Sequence, residues 1–98
     1  MKRRTVVFAS RAKTDLFELH DWIAERGGTA VATAYLNRVE VYCRGFENAA
    51  ERGHRRDDIR AGLRIVGFER RIAIAFVVEP EQVIIVRLYY GGRGIGSS

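Results

Sequence analysis

Apolar residues recur along this chain with two different periods, and the change from one to the other divides it into a helical half and a strand half. Thr5-Val6-Val7-Phe8 is a short β-branched and aromatic run that stops before Ser10, a residue suited to an N-cap, so a first strand passing directly into a helix is expected. From Ala12 the apolar positions Leu16, Leu19 and Ile23 step by four, three and four, a helical stripe that Gly27-Gly28 ends. Asp15, Glu18, Asp21 and Glu25 fall on the side this stripe leaves polar. Thr29 is placed to cap a second helix, in which Ala32, Leu36, Val39, Cys43 and Phe46 again step by three or four. The two form a helical hairpin.

Between Asn48 and Arg60 the periodicity fails and polar residues crowd together, which predicts a linker with Arg52-Gly53-His54-Arg55-Arg56 exposed. Three strands are then expected: Leu63 to Phe68, Arg71 to Val78 and Val83 to Tyr90. Glu69-Arg70 joins the first two, and Glu79-Pro80-Glu81-Gln82 makes a turn before the third, with the only proline where it pre-sets the backbone angle. Connections this short cannot form crossovers, so these neighbours are antiparallel. The predicted class is α+β: an N-terminal strand, then a two-helix hairpin packed on an antiparallel sheet with three consecutive C-terminal strands.

Alternation sorts the sheet into faces, because successive side chains of a strand point opposite ways. Ile72, Ile74, Phe76 and Val78 are expected under the helices, with Ile84, Val86, Leu88 and Tyr90 of the last strand. The other face is then expected to hold Arg71, Ala73, Ala75, Arg87 and Tyr89, with Arg64 beside them: a shallow basic surface ending in an aromatic ring.

Length fits this plan, since 98 residues are expected to form one domain over 1–98, with the glycine-rich stretch 91–98 expected as a flexible tail. A composition that is 47% hydrophobic fills a core, and 30% charged residues with no long apolar run exclude a membrane span. One cysteine, Cys43, makes no internal disulfide and is expected as a core filler; no apolar leader precedes the first strand, so the chain is expected to be cytoplasmic. His20 and His54 have no companions at metal-ligand spacing, and no motif calls for a metal or other cofactor.

Charge sharpens the picture. The net charge is +5, and 15 of the 17 basic residues are arginine. Arginine offers a planar donor fork to phosphate or carboxylate and does not readily lose its proton, so the bias suits recognition of an anionic partner better than proton transfer. Seven arginines fall between residues 52 and 71, which concentrates the field.

The order of elements resembles the ParE/RelE superfamily of toxins from type II toxin–antitoxin pairs, and the resemblance covers nearly the whole chain. Members of the ParE branch carry Ala-x-x-Asp-Leu on the first helix, matched by Ala12-Lys13-Thr14-Asp15-Leu16. They lead into the sheet with Gly-Leu-Arg, matched by Gly62-Leu63-Arg64, which here follows Asp57-Asp58-Ile59-Arg60-Ala61. Their last strand ends in an Ile-x-Arg-Ile/Val-Leu-His-Gly-x-Arg-Asp type of segment, matched by Ile85 to Gly94 with Tyr90 for the usual His and Gly94 for the usual Asp. The proline that many members place after the second helix is replaced by Ala50.

The resemblance implies one of two activities. ParE-like members poison DNA gyrase; RelE-like members cut messenger RNA on the ribosome. Both are neutralised by an antitoxin, here expected to be ParD-like and held in a hetero-oligomer. Under the gyrase reading Arg64, Arg71, Arg87, Tyr89 and Arg93 are the expected target contacts, and no residue is catalytic. Under the ribosomal alternative Arg71, Arg87, Tyr89 and Tyr90 form the ribonuclease site. RNA cleavage through the 2′-hydroxyl needs a base and an acid, yet the expected basic surface has no Lys or His in its strands, and tyrosine titrates far above neutral. The missing acid–base group favours gyrase inhibition. A third possibility is a relative that binds antitoxin without being toxic.

Overall fold

The computed structural model describes residues 3–90. Strand β1 (Thr5–Phe8) leads through Ala9 into helix α1 (Ser10–Gly27), and helix α2 (Thr29–Arg44) follows after the single residue Gly28. Gly28 lies at φ +94, where its N–H donates to Ala24 O and its carbonyl accepts from Ala32 N–H. One left-handed glycine therefore closes one helix and opens the next, as a residue without Cβ does at low cost. The expected capping by Ser10 and Thr29 does not occur: the N-cap positions are Ala9 and Gly28, and neither makes a side-chain cap bond. Thr29 is already the first helical residue, because a one-residue connection leaves no place for a capping side chain.

After a 3₁₀ turn at Gly45–Glu47 come β2 (His54–Arg55), β3 (Leu63–Phe68), β4 (Ile72–Val78) and β5 (Gln82–Tyr89). The sheet order is β1-β5-β4-β3-β2. β3, β4 and β5 are antiparallel neighbours as expected, and β1 completes the other side by pairing parallel to β5 from Thr5↔Gln82 to Phe8↔Ile85. The long helical hairpin is the crossover that a parallel pair requires. The result is an α+β fold, two helices on a five-stranded mixed sheet.

β2 lies inside the stretch expected to be a linker. It pairs His54 with Ile65 and Arg55 with Arg64, too short a ladder to show alternation in sequence. The loop beyond it is built from local ion pairs: Arg56 grips Asp58 through two nitrogens at 2.9 and 2.8 Å, and Asp57 accepts from Gly62 N–H at 2.8 Å.

The core lies between helices and sheet. Phe46 and Phe76 meet there with ring centroids 4.6 Å apart, and Leu19, Val39, Ile74, Ile85 and Leu88 are sealed around them. Each such side chain contributes about 1.5–3 kcal/mol by leaving water. Cys43 belongs to this core, and burial pushes its thiol up to about 12, which makes it a packing residue.

β4 alternates as its sequence predicts, with Ile72, Ile74 and Phe76 toward the helices and Ala73, Ala75 and Val77 away from them. β5 does not. Its pairing runs from Phe76↔Ile85 to Ala75↔Arg87, so Val86 is an extra residue, a β-bulge. Before the bulge Val83 and Ile85 face the core; after it Leu88 and Tyr90 do. The expectation for Leu88 and Tyr90 holds, but Ile84 and Val86 are not core residues. Val86 packs on the helix-free face instead, because one inserted residue reverses the alternation of everything before it.

Candidate functional site: two faces divided by the sheet

The helix-free face is floored by Leu63, Ile65 and Ala75, with Ala73, Val77, Val86 and Tyr89 packed around them. Arg87 and Tyr89 are two positions apart on β5, and the Arg87 guanidinium sits 5.1 Å from the centre of the Tyr89 ring. This is a cation–π arrangement that keeps both groups at the surface.

Arg87 is also anchored. Its Nε donates to Asp15 Oδ2 at 2.9 Å, and Leu88 N–H donates to the same oxygen at 2.9 Å. The cause is topological. β1 pairs with β5 only as far as Ile85, with Ala9 N–H adding one bond to Ile85 O, so the edge of β5 beyond that point lacks a strand partner. Asp15, one turn into α1, supplies the missing acceptor. It is fully buried, and its other oxygen, Oδ1, makes no hydrogen bond but faces Arg11 Nε at 3.7 Å. The bond to Asp15 raises the Arg87 pKa and holds its charge in place. The expectation that Asp15 lies on a polar helix side is thus overturned. Its spacing carried a signal, since Ala12, Asp15 and Leu19 step by three and four along α1 and are the buried residues of that helix.

On the other side of the sheet, a cavity of about 500 Å³ opens between the helices and the β3–β4 turn. Its lining includes Leu19 and Trp22 of α1, Tyr35 and Arg38 of α2, and Arg71 and Tyr90 of the sheet end. Trp22 meets Tyr90 edge to face at 5.7 Å. Arg38 holds Glu69 through Nε and Nη2 at 2.9 and 3.1 Å, and its guanidinium lies 5.0 Å from the Tyr35 ring centre. That grip lowers the Glu69 pKa and raises that of Arg38. Glu69 and Arg70 both have left-handed backbones, φ +50 and +57, and Arg71 N–H donates to Phe68 O across the turn. Positive φ at both central residues is the requirement of a type I′ turn, usually met by Asn-Gly. Here the salt bridge from Arg38 helps hold a turn that its own residues disfavour. Burial, with Glu69 second, pushes the Tyr35 phenol up.

The expected single basic surface therefore does not form. Arg87 and Tyr89 are on the helix-free face. Arg64 pairs with Phe76 and so takes the helix side of β3, where its Nη1 reaches Arg52 O at 3.5 Å. Arg71 lines the helix-side cavity with Tyr90, which is buried. Arg93 and the expected tail at 91–98 lie outside the described residues. The four residues of the ribonuclease alternative are accordingly split by the sheet, Arg71 and Tyr90 on one side and Arg87 and Tyr89 on the other. Sequence reading missed Asp15, Tyr35, Arg38 and Glu69; it also missed Phe17, a large apolar side chain left 75% exposed on α1.

The family model of the ParE toxin of the type II toxin–antitoxin system parDE matches residues 6–94. The chain belongs to the ParE toxin family. Solved structures agree in fold with this ParE-family chain. It is similar to a chain of the chromosomal ParDE toxin–antitoxin system from P. aeruginosa, at 19% identity and TM-score 0.78, with 90% of this chain and 96% of that one covered. It is also similar to a chain of the toxin–antitoxin complex RelBE2 from Mycobacterium tuberculosis, at 21% identity and TM-score 0.65, covering 93% of this chain and 94% of that one. No curated protein sequence matches it. Among the described residues of the ParE-family chain, no helix is long and apolar enough to cross a membrane.

Proposed function

We propose that this ParE-family toxin acts by binding DNA gyrase, with no acid–base chemistry of its own, and that a ParD-like antitoxin neutralises it. The observation that carries the reading is the division of Arg71 and Tyr90 from Arg87 and Tyr89 by the sheet, which leaves each face with one arginine and one tyrosine of the four, short of the paired cations and the acid–base groups that cleavage through a ribose 2′-hydroxyl needs. Arg87 does not serve as a base, since its bond to Asp15 raises a pKa already far above neutral. A cation fixed over an aromatic ring beside an apolar floor suits a protein surface instead, because anchored Arg and Tyr side chains lose little freedom on binding.

Gyrase contacts are assigned to Arg87 and Tyr89 on the helix-free face. Arg64, on the helix side of β3, and Arg71, in the cavity, are not assigned to that contact surface. The net charge of +5 speeds encounter with an acidic antitoxin. Brief expression followed by mapping of transcript ends and of chromosomal breaks tests the assignment. Double-strand breaks without new codon-phased transcript ends are expected. Codon-phased cuts that disappear in Tyr89→Phe would establish ribonuclease action instead.

A further inference from the structure

Three arginines converge where the β2–β3 ribbon passes the C-terminal end of α2. Arg55 and Arg64 are register partners in the ladder, and directly opposed residues of an antiparallel pair point their side chains to the same face. That face is the helix side, since Arg64 also stands opposite Phe76, a core residue under the helices. Arg52 joins them. Its guanidinium lies 5.1 Å from the ring centre of Phe46 and 5.5 Å from that of Tyr42, and its carbonyl accepts a long bond of 3.5 Å from Arg64 Nη1. Like charges set opposite one another in a ladder destabilise it, so the fold alone gains nothing from this arrangement. Among the described residues one carboxylate answers the cluster, Asp57 at 3.2 Å from Arg55, while Asp58 is gripped through both oxygens by Arg56. Arg52 and Arg64 bond backbone carbonyls, those of Ala49 and Arg52, and neither is in an ion pair with another described residue. Arg64 is moreover half-buried, and Arg52 is held by its two rings, so these cations are fixed in place and short of anions.

From this we infer that Arg52, Arg55 and Arg64 bind the phosphate backbone of duplex DNA. A planar guanidinium matches the paired oxygens of a phosphodiester, and the seven arginines between residues 52 and 71 match an anion that repeats along its length. The rings at the cluster favour a duplex over a single strand. Tyr42 meets Phe46 edge to face at 5.6 Å and Phe68 at 4.9 Å, and Arg52 lies over both Tyr42 and Phe46. Single strands are held by bases stacked on open rings, which these are not, whereas a duplex is positioned through its phosphates. The inference goes beyond the gyrase reading and does not depend on it. The arginine cluster is on the helix side of the sheet and Arg87 and Tyr89 are on the other, so one toxin molecule has a face for a protein and a separate face for the duplex which that protein holds.

Fluorescence anisotropy of a short labelled DNA duplex, titrated with the full chain over a series of salt concentrations and without gyrase, tests this. Arg52→Gln and Arg64→Gln, each first shown by thermal unfolding to be folded, are expected to weaken binding and to lower the magnitude of the log–log salt slope by about one apiece. Arg70→Gln removes the same charge from an exposed position in the turn beyond the other end of β3, and is expected to leave the slope unchanged. Asp57→Asn keeps an acceptor for Gly62 N–H while removing the carboxylate at the cluster, and is expected to tighten binding by about threefold, a change that a damaged fold does not produce. No duplex binding by folded wild type at low salt would overturn the inference. Equal slope losses in Arg52→Gln, Arg64→Gln and Arg70→Gln would overturn it too, since net charge alone would then account for binding. Tighter binding of a single strand of the same length, with the same dependence on Arg52 and Arg64, would assign the cluster to single-stranded nucleic acid and overturn the duplex. All of these outcomes are read without gyrase and leave its contact with Arg87 and Tyr89 to be judged separately.

Discussion

Arg87 and Asp15, 72 positions apart in the chain, share a hydrogen-bonded ion pair of 2.9 Å in which the carboxylate is fully buried and also accepts from Leu88 N–H. One side chain of the first helix thereby does the work of a missing edge strand and fixes the side chain that the proposed target surface depends on. Stability and the proposed target surface meet at this contact.

Removal of one partner leaves the other uncompensated, so Arg87→Ala is expected to cost about 3–5 kcal/mol, more than the cation itself contributes at a surface. Asp15→Asn keeps an acceptor for Leu88 N–H while removing the buried charge. The double variant Asp15→Asn with Arg87→Ala is therefore expected to be more stable than Arg87→Ala alone. Urea unfolding of the four proteins measures the coupling; additive effects would mean the pair is not energetically linked. Growth assays on Arg87→Ala need this control, since lost toxicity in that variant would reflect lost fold.

Among the described residues, Gly53 carries the sharpest backbone requirement. It sits at φ +77, and a Cβ there would overlap the carbonyl oxygen of Ile65. Gly53→Ala is expected to destabilise by about 2 kcal/mol, from the left-handed penalty and the displaced strand together. Amide exchange is the measurement that localises it: faster exchange in the β2–β3 ladder with unchanged protection in β4 is the expected pattern.

The Arg38–Glu69 bridge makes a prediction about acid. The Glu69 carboxyl is held below the usual range by Arg38, so its folded pKa is depressed relative to the unfolded chain. Its contribution is fully present above the ordinary glutamate pKa and is lost as pH falls through the depressed folded value. Both side chains are well exposed, so the effect belongs to the turn and not to global stability. Carbon-detected titration of Glu69 is expected to show its pKa rise in Arg38→Ala, while an unchanged value would mean the bridge is absent in solution.

The helical hairpin, β3 and β4 were legible in sequence because each follows one undisturbed period. Ile72, Ile74 and Phe76 face the helices as alternation requires. Legibility ended where a single residue changed the count. Val86 bulges, so Ile84 moved off the core and Ile85 onto it, an event that no local composition announces. Arg64 and Arg71 depart from the expected face for a related reason: alternation does not carry past strand ends or across a turn that Arg38, 31 positions from Glu69, helps to hold. Asp15 is polar by type, although its spacing is that of a core residue. In α2 the buried position is Tyr35 while its neighbour Leu36 is only partly buried, because the groove beneath that turn takes a ring. The family's Asp-Leu and Gly-Leu-Arg matches gave the fold; they did not give the two faces.

The proposed function has this toxin bind gyrase through its helix-free face. The most direct test is a supercoiling and DNA-cleavage assay with purified gyrase, comparing wild type with Tyr89→Ala, which leaves the Arg87–Asp15 bond intact. Wild type is expected to stop supercoiling and accumulate linear DNA, and Tyr89→Ala, if as stable as wild type, to need at least tenfold more protein for the same effect. Undiminished supercoiling and no cleaved DNA in the presence of folded wild-type protein would show that gyrase is not the target.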